Sequence, residues 1–148
     1  MTNLTTPEDF ETVLRFAFGI ADRGVPLTLV SMAMVSLAVD GAADPQLEER
    51  LKGLVIGRCR RTDRVAALGH GRYRALLAVC NRQGALIFAD RVVQAVEELL
   101  TDAGVTLACG VATWTPDMNS PEELVRAADA ALEKARSLGG DRIEIHVG

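Results

Sequence analysis

Two hydrophobic periods divide the chain. Phe10, Val13, Leu14, Ala17 and Phe18 recur at the spacing of one helical face. Thr6 caps that helix, Pro7 takes its first turn, and Glu8 and Asp9 sit at the positive end of its dipole. Gly24 ends it. Leu27 to Val35 is apolar on both faces, the pattern of a strand buried inside a sheet. Asp44-Pro45 opens a second helix that turns Leu47, Leu51, Leu54 and Val55 inward. Arg64 to Leu68 and Tyr73 to Cys80 form the arms of a hairpin around Gly69-His70-Gly71-Arg72. Asn81 to Gly84 reads as a turn, and Ala85 to Leu100 as a third helix. Val105 to Thr113 is a strand ending at Trp114. Ser120-Pro121-Glu122-Glu123 starts a fourth helix, which runs to Leu138 and stops at Gly139-Gly140. Arg142 to Val147 alternates as a last strand.

This order predicts an α+β, ferredoxin-like fold: a central, mostly antiparallel five-stranded sheet flanked by helices. One domain spans 1–148, with an N-terminal helix in 1–24 and a core in 26–148. Half of the 148 residues are hydrophobic (49%) but few are aromatic (4%), so the core should be aliphatic. The net charge of -4 gives no reason to expect a nucleic-acid or anionic-membrane partner. Cys59, Cys80 and Cys109 have no metal-ligand spacing and read as buried free thiols of a reducing compartment. The N-terminus lacks a signal-peptide pattern. The longest apolar run, Val25 to Val39, contains Pro26 and is too short to span a bilayer. A cytoplasmic protein without membrane insertion is expected.

Three strings carry a resemblance. Ala67-Leu68-Gly69-His70-Gly71-Arg72-Tyr73 is similar to a Gly-Gly-Asp/Glu-Glu-Phe hairpin. Ala108-Cys109-Gly110-Val111-Ala112 is similar to a Ser-Ile-Gly-Val-Ala strand. Ala128-Asp129-Ala130-Ala131-Leu132 is similar to an Ala-Asp-x-Ala-Leu-Tyr helix. In order and spacing they resemble the GGDEF domain of diguanylate cyclases, which condense two GTP into cyclic di-GMP, over about Pro26 to His146. The resemblance implies Mg²⁺ carboxylates on the first strand and at the hairpin tip. Those positions hold Ala33, Val35, Gly71 and Arg72, and His70 replaces the second glycine. Ala38 to Asp44 is shorter than the family's segment, Arg136 stands for its usual Lys, and Gly140 for its usual Arg. Asp40 and Asp44 survive nearby as a turn residue and a helix cap. The expectation is a degenerate domain: no enzyme, no catalytic residues, no metal ligands and no Mg²⁺ cofactor.

The resemblance also implies a second, inhibitory product site with the signature Arg-x-x-Asp. Arg60-Arg61-Thr62-Asp63 has it, separated from Gly69 by the five residues Arg64 to Leu68. Ala89-Asp90-Arg91-Val92 is similar to the string that supplies a third ligand. Arg60, Asp63 and Arg91 are therefore the candidate cyclic di-GMP ligands; the structural alternative has Asp63 capping the turn into the hairpin and Arg58, Arg60 and Arg61 as charges at a helix C-terminus. A guanidinium forks onto guanine O6 and N7 or onto a phosphate, and a carboxylate accepts from guanine N–H groups. The expected role is a cyclic di-GMP receptor or signalling adaptor acting on a partner protein or a homodimer. A ligand-independent interaction scaffold is the alternative.

The family's usual Asp-x-Leu-Thr-Gly-Leu-x-Asn-Arg opening is absent, so the first helix counts as an addition to the fold. Its Phe16 lies off the Phe10 and Leu14 face and is expected to meet a partner or a second copy. His70 reads as a solvated tip residue, His146 as exposed and Trp114 as packing. Met32 and Met34 read as core.

Overall fold

The computed structural model describes residues 3–36, 45–139 and 142–146. The segment 38–44 with Asp40 and Asp44, and Gly140, lie outside the described residues. The strands are β1 (Leu4–Thr5), β2 (Leu27–Ser36), β3 (Arg64–Gly69), β4 (Arg72–Ala78), β5 (Val105–Thr113) and β6 (Arg142–Ile145). The α-helices are α1 (Pro7–Ala21), α2 (Pro45–Gly57), α3 (Arg82–Leu99) and α4 (Pro121–Ser137). One six-stranded sheet has the order β1-β3-β4-β2-β5-β6.

β2 lies between β4 and β5 and is antiparallel to both, as its two-sided apolar pattern requires. The expected five-stranded sheet is corrected to six strands with mixed directions. β1 pairs with β3 in parallel, and β6 with β5 in parallel. β1 is only two residues long, too short for alternation to reveal it. The expected turn at Asn81 to Gly84 is the start of α3: Asn81 Oδ1 accepts from Gly84 N at 2.9 Å, a helix cap that closes the first turn.

Helices cover both faces of the sheet. On one face, Leu47, Leu51 and Val55 of α2 and Phe88, Val92 and Val96 of α3 pack on Val30, Met32, Tyr73 and Cys109. On the other, Phe10, Leu14 and Ala17 of α1 and Leu124, Ala127 and Ala128 of α4 pack on Leu29, Ala66 and Leu76. α4 lies directly on β5: a Cβ at Gly110 would come within 2.2 Å of Leu132 N and 2.3 Å of Ala128 O. That contact explains the glycine in the Ala-Cys-Gly-Val-Ala string, since no side chain fits between the two backbones.

α1 buries Phe10 and Leu14 against the sheet and leaves Phe16 70% exposed. The three cysteines are free; Cys80 and Cys109 are buried and Cys59 half-buried. No helix among the described residues is long and apolar enough to cross a membrane.

Candidate functional site

The β3–β4 hairpin reverses through Gly69, His70 and Gly71, all in the left-handed region with φ of 85°, 55° and 73°. Histidine tolerates that region better than most residues, so it can stand where the resemblance places a glycine. Gly71 has no such latitude, because a Cβ there would lie 2.7 Å from Met34 Cβ. The tip is tied to α2 by Glu48, whose Oε1 accepts from Gly71 N at 2.5 Å and whose Oε2 accepts from the Tyr73 hydroxyl at 3.2 Å. Burial, with the Glu48 carboxylate next to it, pushes the Tyr73 hydroxyl well above its ordinary range.

The arginines of the tip are each paired with an acid. Arg72 Nη2 donates to Glu133 Oε1 at 3.0 Å, and Glu133 also takes Arg136 Nη1 at 3.0 Å. Arg74 Nη2 donates to Asp129 Oδ2 at 2.6 Å, while Asp129 Oδ1 accepts from the buried Ser31 hydroxyl at 2.6 Å. A cleft of about 220 Å³ lies among these groups.

The turn between α2 and β3 is built differently. Asp63 is a buried charged residue, only 1% exposed. Its Oδ2 accepts from Arg60 N at 2.7 Å and its Oδ1 from Arg60 Nη2 at 3.2 Å. The same Nη2 donates to Ala78 O at 3.0 Å, so the guanidinium is held in place while its outer face stays in solvent. The Asp63 hydrogen bond raises the pKa of Arg60 further. Beneath the turn, burial, and secondarily the Asp63 charge, push the Cys59 thiol up to about 12. Beyond Ala78, Val79 sits at φ 51°, a strained position for a β-branched residue.

Arg60, Asp63 and Arg91 come together. With Arg58, Leu77, Cys80, Gly84, Ile87 and Phe88 they surround one cavity of about 160 Å³ between this turn and the first half of α3. Arg58 donates weakly to Leu54 O at 3.5 Å; among the described residues neither it nor Arg91 pairs with an acid. The cavity thus has a cationic rim and an apolar floor. The Asp63 carboxylate faces Arg60, so within this geometry it orients the arginine.

Sequence reasoning gave Arg58 only the role of a helix-end charge and missed Glu48. Arg58 precedes the Arg-x-x-Asp signature by two positions and carries no motif of its own. Glu48 reaches the tip from another element, which no local string reveals.

The family model described as "Diguanylate cyclase, GGDEF domain" matches residues 46–142, more than half of the chain. The chain belongs to this GGDEF family. Diguanylate cyclase A of Treponema denticola is 30% identical over 110 residues, which are 70% of this chain and 29% of that protein. The chain therefore spans less than a third of that relative. A GGDEF domain from Pseudomonas aeruginosa superposes with a TM-score of 0.86 at 20% identity, covering 100% of this chain and 99% of that one. The active GGEEF domain of a diguanylate cyclase from Vibrio cholerae gives 0.83 at 20% identity, with 93% and 94% covered. The coiled coil and GGDEF domain of DgcB from Caulobacter crescentus, solved with c-di-GMP, gives 0.83 at 18% identity, with 97% and 82% covered. The Pseudomonas match takes in the whole chain, so α1 lies within the matched region, and its reading as an addition to the fold is not confirmed.

These matches overturn the expectation that the chain is not an enzyme. The family is that of diguanylate cyclases and the Treponema relative bears that name, so the GGDEF domain here is diguanylate cyclase-like. The residues at the four implied Mg²⁺ positions do not themselves fit the ion. Ala33 and Val35 pack against Leu132 and Ala135, Gly71 has no side chain, and Arg72 is cationic. Among the described residues no three acidic, histidine or cysteine side chains converge on a metal position.

Proposed function

We propose that this GGDEF domain binds cyclic di-GMP at the cavity between the Arg60–Asp63 turn and α3, and relays its occupancy to a partner protein or a second copy. The observation that carries the proposal is the convergence of Arg60 and Arg91, from separate elements, on one cavity that Arg58 also lines. Their guanidinium groups supply planar, charge-assisted donors for guanine O6 and N7 and for phosphate. Asp63 positions Arg60 for that contact.

At about 160 Å³ the cavity is below the roughly 300–1,000 Å³ typical of small-molecule pockets, so it takes one base or one phosphate. The rest of the dinucleotide lies across Ile87, which is 52% exposed. Cyclic di-GMP is present in the DgcB structure and in a further microbial GGDEF-domain structure that describes a novel interaction mode with it. At 18–20% identity these relatives support the fold and suggest the ligand to test. No residue of the proposed site needs a metal ion.

The test is calorimetric titration with cyclic di-GMP and with GTP, repeated on Arg60→Ala and Asp63→Ala. Saturable cyclic di-GMP binding that both substitutions remove supports the proposal. Heat from neither nucleotide leaves an interaction scaffold instead. Conversion of GTP with Mg²⁺, followed in the same preparations, measures cyclase activity separately from binding.

A further inference from the structure

The turn that carries Arg60 is closed from outside by the start of the chain. Asn3 Nδ2 donates to Arg60 O and to Asp63 O, both at 2.8 Å. Its own carbonyl accepts from Val65 N at 2.9 Å, and the following residues Leu4 and Thr5 pair with Val65 and Ala66 in parallel. The inner side of the same turn is closed by Asp63 Oδ2 on Arg60 N. One primary amide outside and one carboxylate inside therefore hold the turn at both of its ends.

The residue type matters. A primary amide has two N–H donors on one atom, one for each carbonyl; a carboxylate of the same size has none. Asp63 O has a second donor in Arg64 Nη1 at 2.8 Å, and Arg60 O has a second in Asp63 N at 3.0 Å, within the turn itself; Asn3 is the group that ties both carbonyls to β1. Losing Asn3 removes the brace that the outer side of the turn has at its Arg60 end and leaves that end to Asp63 alone, and with it the backbone from which the guanidinium reaches Asp63 Oδ1 and Ala78 O.

We infer that Asn3 is a positioning residue of the cyclic di-GMP site. It sets the turn so that Arg60 faces the cavity, and docking of the Asn3–Thr5 segment and occupancy of the site stabilise each other. The inference rests on the cavity being the cyclic di-GMP site proposed above. By linkage, whatever undocks this segment weakens the ligand, and the ligand tightens the segment by the same factor.

The test combines affinity with exchange. Asn3→Ala and Asn3→Asp are titrated with cyclic di-GMP, their thermal midpoints are measured, and hydrogen exchange of the Val65 amide is followed with and without ligand. Both variants should bind about tenfold more weakly, the scale of one to two lost hydrogen bonds, with midpoints near that of the parent. Val65 exchange should slow on saturation in the parent and not in Asn3→Ala. Unchanged affinity in both variants, with the parent binding normally, overturns this inference and leaves the site standing. Failure of the parent to bind overturns the site and the inference together. If the variants unfold, the parent's Val65 amide decides alone, and exchange unaffected by saturating ligand overturns the inference.

Discussion

The tip of the β3–β4 hairpin and the turn that leads into it share a design and differ in what they leave over. Each is held by one carboxylate from its own side: Glu48 ties Gly71 and Tyr73, and Asp63 ties Arg60. At the tip the remaining cations are consumed, Arg72 by Glu133 and Arg74 by Asp129. At the turn Arg60 is paired with Asp63 but keeps an outer face in solvent, Arg58 and Arg91 pair with no acid among the described residues, and all three line one cavity. A cation already paired with an acid has its charge screened and its donors occupied, so binding an anion there would first break the pair. The lesson is that a familiar motif position says less about ligand binding than the pairing of its neighbours. The proposed cyclic di-GMP site accordingly lies at the turn.

Substitutions can break this comparison. The largest effect is expected from Arg60→Ala, which removes charge-assisted contacts to the ligand; cyclic di-GMP affinity should fall about 100-fold by calorimetry. Arg91→Ala, on the far wall of the cavity, should cost about tenfold in the same assay. Glu48→Ala should act the other way round. It strands Gly71 N and leaves the Tyr73 hydroxyl only the backbone carbonyl of residue 48 at 3.3 Å, so unfolding in urea should show a loss of about 1–3 kcal/mol while cyclic di-GMP affinity holds. Arg72→Ala should change affinity less than twofold and stability by at most about 1 kcal/mol, the range of an exposed ion pair.

Alkaline pH sharpens the comparison through stability. The Cys59 thiol is raised from an ordinary 9.0 to about 12 in the folded chain, so the folded state favours the protonated form. Its contribution is complete below pH 9, declines as pH rises beyond that, and is gone above about 12. Tyr73 is raised from 10.0 in the same direction, so the tip begins to lose its contribution about one unit later than the turn. Urea unfolding between pH 8 and 10 should show a fall in stability that Cys59→Ala reduces.

Much of the fold was legible because its long elements carry one clear period. β5 reads as a strand from Val105 to Thr113 since nearly every residue in it is apolar, and it is buried along almost its whole length. α4 is framed by Pro121 and by the glycine after Leu138. β1 was not legible, because two residues show no period and its pairing depends on β3, some 60 positions away. The first turn of α3 was misread because Arg82-Gln83-Gly84 is polar, and only the Asn81 cap reveals a helix there.

At the site, Arg60, Asp63 and Arg91 were legible from a motif and its spacing, and they do share a cavity. The division of labour between them was not legible. Whether Asp63 faces a ligand or faces Arg60 depends on a turn geometry that the four-residue signature does not encode. Asn3 and Glu48 escaped notice because each acts across elements, and Arg58 read only as a helix-end charge because it lies outside the motif. The reading of an inactive chain is overturned by the family match and by the relative named as a diguanylate cyclase, neither of which position-by-position reading of the motifs could supply.

The most direct test of the contrast between turn and tip follows the arginine side-chain Nε–Hε resonances by NMR during a cyclic di-GMP titration. Arg60 and Arg91 should shift and saturate together, while Arg72 and Arg74 stay in place. Shifts confined to Arg72 and Arg74 would contradict the assignment of recognition to the turn.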